Sequence, residues 1–171
     1  MQRPTETEYP SFFARYVALV PETDILGVLE QQVDEIRRLA ASVPPPRETH
    51  RYAEGKWSIR QVLGHLVDGE RVFGYRAFCI SRGEQAPLPA FDENQYVAAS
   101  RFDATPLSEL ADELALVRRS SLVVLRRLEE AEWARTGTAS GKPISVRALA
   151  WVMAGHPRHH LGLLRERYGV A

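Results

Sequence analysis

The sequence has 171 residues, 44% apolar and 26% charged, which suits a single globular domain with a substantial core and excludes a disordered or fibrous chain. Lysine plus arginine equal aspartate plus glutamate at 22 each, so nothing draws the chain to nucleic acid or to anionic membranes, and neither is an expected partner. The single cysteine, Cys79, excludes an internal disulfide, no apolar run approaches membrane-spanning length, and the amino-terminal MQRPTETEYP lacks a signal-peptide core; a cytoplasmic protein is expected.

Along the chain the signals are mainly helical. SFFARYVALVPE is an apolar lead-in, a short helical turn ended by Pro21. From Thr23 or Asp24, the residues Ile25, Leu29, Val33, Ile36 and Leu39 share one helical face, and the prolines at 44–46 stop the helix. A second helix opens at Ser58, with Gln61 completing a capping box and Trp57 and Val62 a hydrophobic staple; Gly83 ends it near residue 82. The proline-bearing segment that follows is too long for a bare loop, and a short helical turn is expected at Glu93–Ala99.

Thr105 then serves as cap and Pro106 as first helical residue of a third long helix. Its stripe of Leu107, Leu110, Leu114 and Val117 continues through Leu125 and Leu128 to about Glu130. The basic pairs Arg118-Arg119 and Arg126-Arg127 read as solvated helix faces. TGTASGKPI is a turn-rich connection with room for a brief extended piece, and Ser145 caps a last helix that ends near Gly169. The expected fold is all-α: an antiparallel-type four-helix bundle over residues 1–171 as one domain, with one or two short extra helical turns in the connections.

Three of the five histidines fall within WVMAGHPRHHLGLLRERYG. On a helix, His156 and His160 stand about 40° apart one turn from each other, so both imidazoles can converge on one ion. His159 lies about 100° from His160 and is an outward residue on this geometry. A catalytic zinc or nickel centre takes three protein ligands and keeps a position open. His65, among Val62, Leu63, Leu66 and Val67, is the leading third donor, and His50, just past the triple proline, is a weaker one. A histidine on an apolar helix face can equally be a hydrogen-bonded core residue, so the two readings stand side by side.

GKWSIRQVLGHLVDGERVFGYR, FDENQYVAASRF and SVRALAWVMAGHPRHHLGLLRERY, in that order, together resemble the DinB-like (YfiT-type) four-helix-bundle proteins. The resemblance covers nearly the whole chain. It implies a divalent metal, zinc or nickel, on a second-helix histidine and an H-x-x-x-H pair of the last long helix, positions that fall on His65, His156 and His160. It also implies either a metal-dependent hydrolase-like enzyme or a transferase or isomerase using a low-molecular-weight thiol cosubstrate, with a homodimer as the candidate assembly. The substrate would be a small molecule that the resemblance does not identify. One departure stands out: Pro157 follows His156 directly, where the family carries helix-favouring residues. Proline lacks the N–H that the Met153 carbonyl needs and crowds that carbonyl, so the helix is expected to bend while both imidazoles still converge.

A three-histidine site with open positions suits Lewis-acid chemistry on a water or thiol. Asp68, one turn beyond His65, is the candidate general base or ligand-orienting group, set against the alternative that Asp68 and Glu70 are both solvated. Cys79 is about 21 Å up the helix from His65 and reads as a small buried hydrophobe. Trp57, Trp133 and Trp151 read as staple or core, and Arg158 flanks the site as a candidate anion-steering group. The competing function is a non-catalytic bundle, a ligand-binding or dimerisation module with a structural metal or none.

Overall fold

A computed structural model describes residues 2–170. A short helix α1 (Ala14–Ala18) precedes α2 (Ile25–Ser42) and α3 (Ile59–Ser81). Next come the short α4 (Glu93–Ala99), the long α5 (Leu107–Leu125) and the single turn α6 (Glu130–Trp133). The strands β1 (Thr136–Ala139) and β2 (Lys142–Ser145) then lead into α7 (Val146–Tyr168). The expected all-α four-helix bundle is what the chain adopts, built from α2, α3, α5 and α7.

The helix starts are set by side chains that satisfy the free N–H groups of the first turn. Asp24 accepts from the Gly27 N–H, Ser145 accepts from that of Ala148, and Ser58 and Gln61 form the reciprocal capping box. Gly169, at φ 62°, closes α7 in the left-handed conformation that suits glycine. Two boundaries differ from expectation. Pro106 is itself the cap of α5, because its carbonyl takes the Leu110 N–H and Leu107 is the first helical residue. The far end of α5 is Leu125, not Glu130: Arg127 and Leu128 tighten to three-residue hydrogen bonds, and a Glu129–Glu132 capping box starts α6.

TGTASGKPI forms an antiparallel hairpin with Thr136 opposite Ser145 and Ala139 opposite Lys142. Ser140 and Gly141 both take positive φ, 52° and 71°, as a two-residue turn matched to strand twist requires. Leu88 runs beside Ala139 and exchanges backbone hydrogen bonds with Thr138 and Ser140, which ties the 82–92 connection to the hairpin.

Among the described residues, α3 and α5 are the one successive pair of bundle helices that packs closely together. The helix α2 packs against α5 and α7, and α3 packs against the same two, so α2 and α3 face each other across the diagonal. An up-down-up-down bundle would set them side by side. Two apolar clusters fill the interior. One gathers α1, the second half of α3, the hairpin and Val146–Ala154 of α7; the other gathers the end of α2, the first halves of α3 and α5, and Leu161–Val170. Between them lies a layer of buried polar side chains: Gln32, His65, Glu70, Arg118 and His156. No helix among the described residues is long and apolar enough to cross a membrane.

Candidate metal centre

The helices α3 and α7 bring His65, His156 and His160 together, with one ring nitrogen of each within 4.8 Å of the others. The Nε2 atoms of His65 and His156 are 2.9 Å apart, a hydrogen-bonding distance in which one ring donates and the other accepts. The remaining nitrogen of His65, Nδ1, is buried with no hydrogen-bond partner among the described residues. His156 reaches the cluster because Gly69 on α3 leaves room: a Cβ there would lie 2.8 Å from His156 Cε1. A divalent ion sits about 2.0–2.1 Å from each imidazole nitrogen, which sets tetrahedral ligands about 3.3 Å apart. The three donors fit such an ion with shifts below about 1 Å.

Burial holds all three rings neutral, the state in which imidazole binds metal. Desolvation pulls His65 down to about 4. It pulls His160 to about 3, with His65 and His159 adding to the effect. His156 lies well below the ordinary value through desolvation, then the neighbouring imidazoles, then Arg15. Each ring therefore binds fewer protons folded than unfolded between about pH 6.5 and its folded pKa. Stability is complete above about pH 6.5 and is lost as pH falls toward the folded values. Metal-free protein is expected to lose thermal stability steeply from pH 7 to pH 5, with uptake of about two to three protons on unfolding; calorimetry across that range checks both.

Pro157 leaves α7 continuous from Val146 to Tyr168. The Met153 carbonyl, deprived of its helical donor, receives Arg118 Nη2 from α5 at 3.0 Å. The next carbonyl, Ala154, receives Gln32 Nε2 from α2 at 2.7 Å. Arg118 uses every N–H it has: Nε and Nη2 grip both carboxylate oxygens of Glu70 at 2.7 and 2.8 Å, and Nη1 reaches Leu29 O and Gln32 Oε1, each at 3.1 Å. The reading of Arg118 as solvated is corrected: it is 0% exposed. Glu70 is likewise buried. The charge pair repairs the helix at the residue that aims His156, while Arg119 and Arg126-Arg127 do face solvent.

The three histidines open onto a cavity of about 360 Å³ walled by Phe13, Tyr16, Trp57, Phe73 and Phe91. Trp57 is not only a staple: its ring stands 4.8 Å from that of His65 and forms part of the wall. Trp133 and Trp151 are core residues. His159 lies outside the triad yet on the same cavity, 5.5 Å from the Tyr16 ring. Asp68 is not on the cavity wall; it is half-buried beside Arg71 and Glu113, and burial pushes its carboxyl up. Arg158 is engaged by Glu22 at 2.7 Å and does not line the cavity. His50 packs on Tyr168, away from the triad. Cys79 is half-buried against the core, more exposed than expected.

Tyr16 and Phe13 came from the apolar lead-in, where no periodicity marked them for a site. The short helix α1 is seated on α7 through Gly155, where a Cβ would fall 2.1 Å from the Tyr16 carbonyl oxygen. Gly155→Ala must push α1 off the cavity, and a loss of about 1–3 kcal/mol is expected in thermal unfolding.

The fold is similar to that of YfiT from Bacillus subtilis, described as a probable metal-dependent hydrolase with an unusual four-helix bundle topology. The TM-score is 0.75 at 18% identity, over 99% of this chain and 95% of that one. A mycothiol-dependent maleylpyruvate isomerase matches with a TM-score of 0.66 at 16% identity, over 83% of this chain and 60% of that one. A DinB-like protein from Bacillus subtilis gives 0.58 at 22% identity, over 83% of this chain and 87% of that one. No protein of curated function matches the sequence. At these identities the likeness is one of fold, but the sequence profile of the DinB superfamily matches residues 29–164, from within α2 to near the end of α7. The chain belongs to the DinB superfamily.

Proposed function

We propose that this chain is a divalent-metal-dependent enzyme acting on a small molecule, with His65, His156 and His160 as the metal ligands. The observation that carries this reading is three neutral imidazole donors at one end of an aromatic cavity, with no fourth His, Cys or carboxylate in the cluster among the described residues. A structural zinc site is closed by four protein ligands, whereas a catalytic one keeps a position open. That difference favours an enzyme over a non-catalytic module. An all-nitrogen donor set suits zinc or nickel. When bound, the ion supplies Lewis acidity and lowers the pKa of a water or thiol at its open position.

The chain's own residues supply the rest. His159, on the wall and outside the triad, has its pKa drawn down by burial, so it is neutral near pH 7 and accepts a proton. It takes the general-base role in preference to Asp68. The aromatic walls exclude water from a bound substrate. Hydrolysis and transfer from a low-molecular-weight thiol are the two reaction classes this arrangement serves, and the descriptions of YfiT and of the mycothiol-dependent isomerase support the pair. Protein purified without a histidine tag should carry about one divalent ion per chain by elemental analysis, in line with a three-ligand site. Failure to find stoichiometric metal at neutral pH would overturn the reading. With cobalt(II) in the site, a thiolate charge-transfer band on adding a thiol selects transfer, and its absence selects hydrolysis.

A further inference from the structure

We propose that Arg76 makes one wall of this cavity an anion subsite, so that the substrate is a small organic acid whose acidic group pairs with Arg76 while its body lies against the aromatic walls. This deepens the reading of the cavity as an active site and rests on it. Arg76, on α3, is 4% exposed and lines the same cavity as the three histidines. No carboxylate lies within ion-pair distance of it among the described residues. The other buried arginine among the described residues, Arg118, has Glu70, and the partly buried Arg60 and Arg147 have Glu48 and Glu8. An arginine cannot shed its charge, and a buried charge without a counter-ion is costly. Burial pulls its pKa down with no acid opposing.

The guanidinium is also only partly used. Its Nη2 donates to Pro89 O at 2.7 Å and to Ser140 Oγ at 2.8 Å, while Nε and Nη1 make no hydrogen bond to any of the described residues. Arg118, a purely internal arginine, has every N–H engaged. The two bonds of Arg76 hold the loop before Phe91 and the hairpin tip, and leave the remaining donors for a ligand. Arg15 adds a second positive charge to the cavity rim. Among the described residues the one carboxylate on the wall, Glu93, acts on Tyr16, not on Arg76. An acidic group is therefore the chemistry the wall is missing, and carboxylate and phosphate share it.

Metal-free protein, titrated with sodium benzoate and separately with inorganic phosphate, tests this by NMR of the arginine Nε–H signals. A saturable shift of the Arg76 signal is expected, and whichever probe produces it identifies the acidic group. Arg76→Met should weaken that probe's binding tenfold or more, and Arg76→Lys should weaken it less. The proposal is overturned if neither probe moves the Arg76 signal in the wild-type protein, a readout that needs no variant to fold. It is equally overturned if folded Arg76→Met binds the probes as tightly as wild type. Because the titration is run without metal, a response at Arg76 in a protein that takes up no metal would sink the metal reading alone.

Discussion

Alanine at His65, at His156 or at His160 is expected to abolish stoichiometric metal binding, while alanine at His159 leaves it intact. The four substitutions are chemically identical, and three of them fall on α7 within one turn and a half. What separates them is direction: His65, His156 and His160 face one another, with ring centroids 4.7–4.9 Å apart and a nitrogen of each in one cluster, whereas His159 packs on Tyr16 and the outer side of His160 and its nitrogens lie outside that cluster. Losing one of three ligands is expected to weaken binding by more than the roughly 10–100-fold that follows loss of a supporting hydrogen-bond partner. The readout is twofold. Elemental analysis after dialysis should find about one ion in wild type and in His159→Ala, as a three-ligand site requires, and almost none in the other three. Thermal unfolding should show added zinc stabilising wild type by about 4 kcal/mol at a thousandfold excess over Kd. That is roughly 10 °C for a chain of this length, with no comparable rise in the triad variants. Equal metal content in all four variants would sink the assignment of the triad.

The triad was legible because it depends on two local facts, the four-residue spacing on α7 and the apolar company of His65 on α3. Both survive whatever topology the helices adopt. The capping box at Ser58 and the short α4 were legible for the same reason, since their determinants lie within a few residues. The diagonal placement of α2 and α3 was not, because several helix faces are apolar and the long 43–58 connection permits more than one arrangement. Arg118 and Glu70 are instructive. Both continue the buried stripes of their helices, Leu107-Leu110-Leu114-Arg118-Leu122 and Leu63-Leu66-Glu70-Phe73, so the signal for burial was present. A charge on an apolar stripe reads as solvated when its partner stands on another helix, here 48 residues away. Trp57, Tyr16 and Arg76 went unmarked as cavity residues for a related reason: they stand before α3, on α1 and in the second half of α3, and segments so far apart share no pattern in sequence.

Arg118→Met is expected to cost about 3–5 kcal/mol, among the largest effects of any single substitution outside the triad. It strands the Glu70 carboxylate, which among the described residues pairs with Arg118 alone, and it takes a donor from Leu29 O, Gln32 Oε1 and Met153 O at once. The Met153 carbonyl is the decisive one, because Pro157 can offer it nothing and the next turn of α7 carries His156. The loss should therefore register twice: a fall in melting temperature of roughly 10 °C or more, and weaker metal binding in protein that is still folded at 25 °C. Replacing the exposed partner in a comparable pair, Arg71→Met opposite Glu113, should cost no more than about 1 kcal/mol and leave metal binding unchanged. The double variant Arg118→Met/Glu70→Leu separates the two consequences. Removing both charges relieves the stranded carboxylate and should recover much of the stability. It cannot restore a donor to Met153 O, so metal affinity should remain below wild type. Recovery of stability and metal affinity together would show that the pair acts only on the fold, with no part in aiming His156.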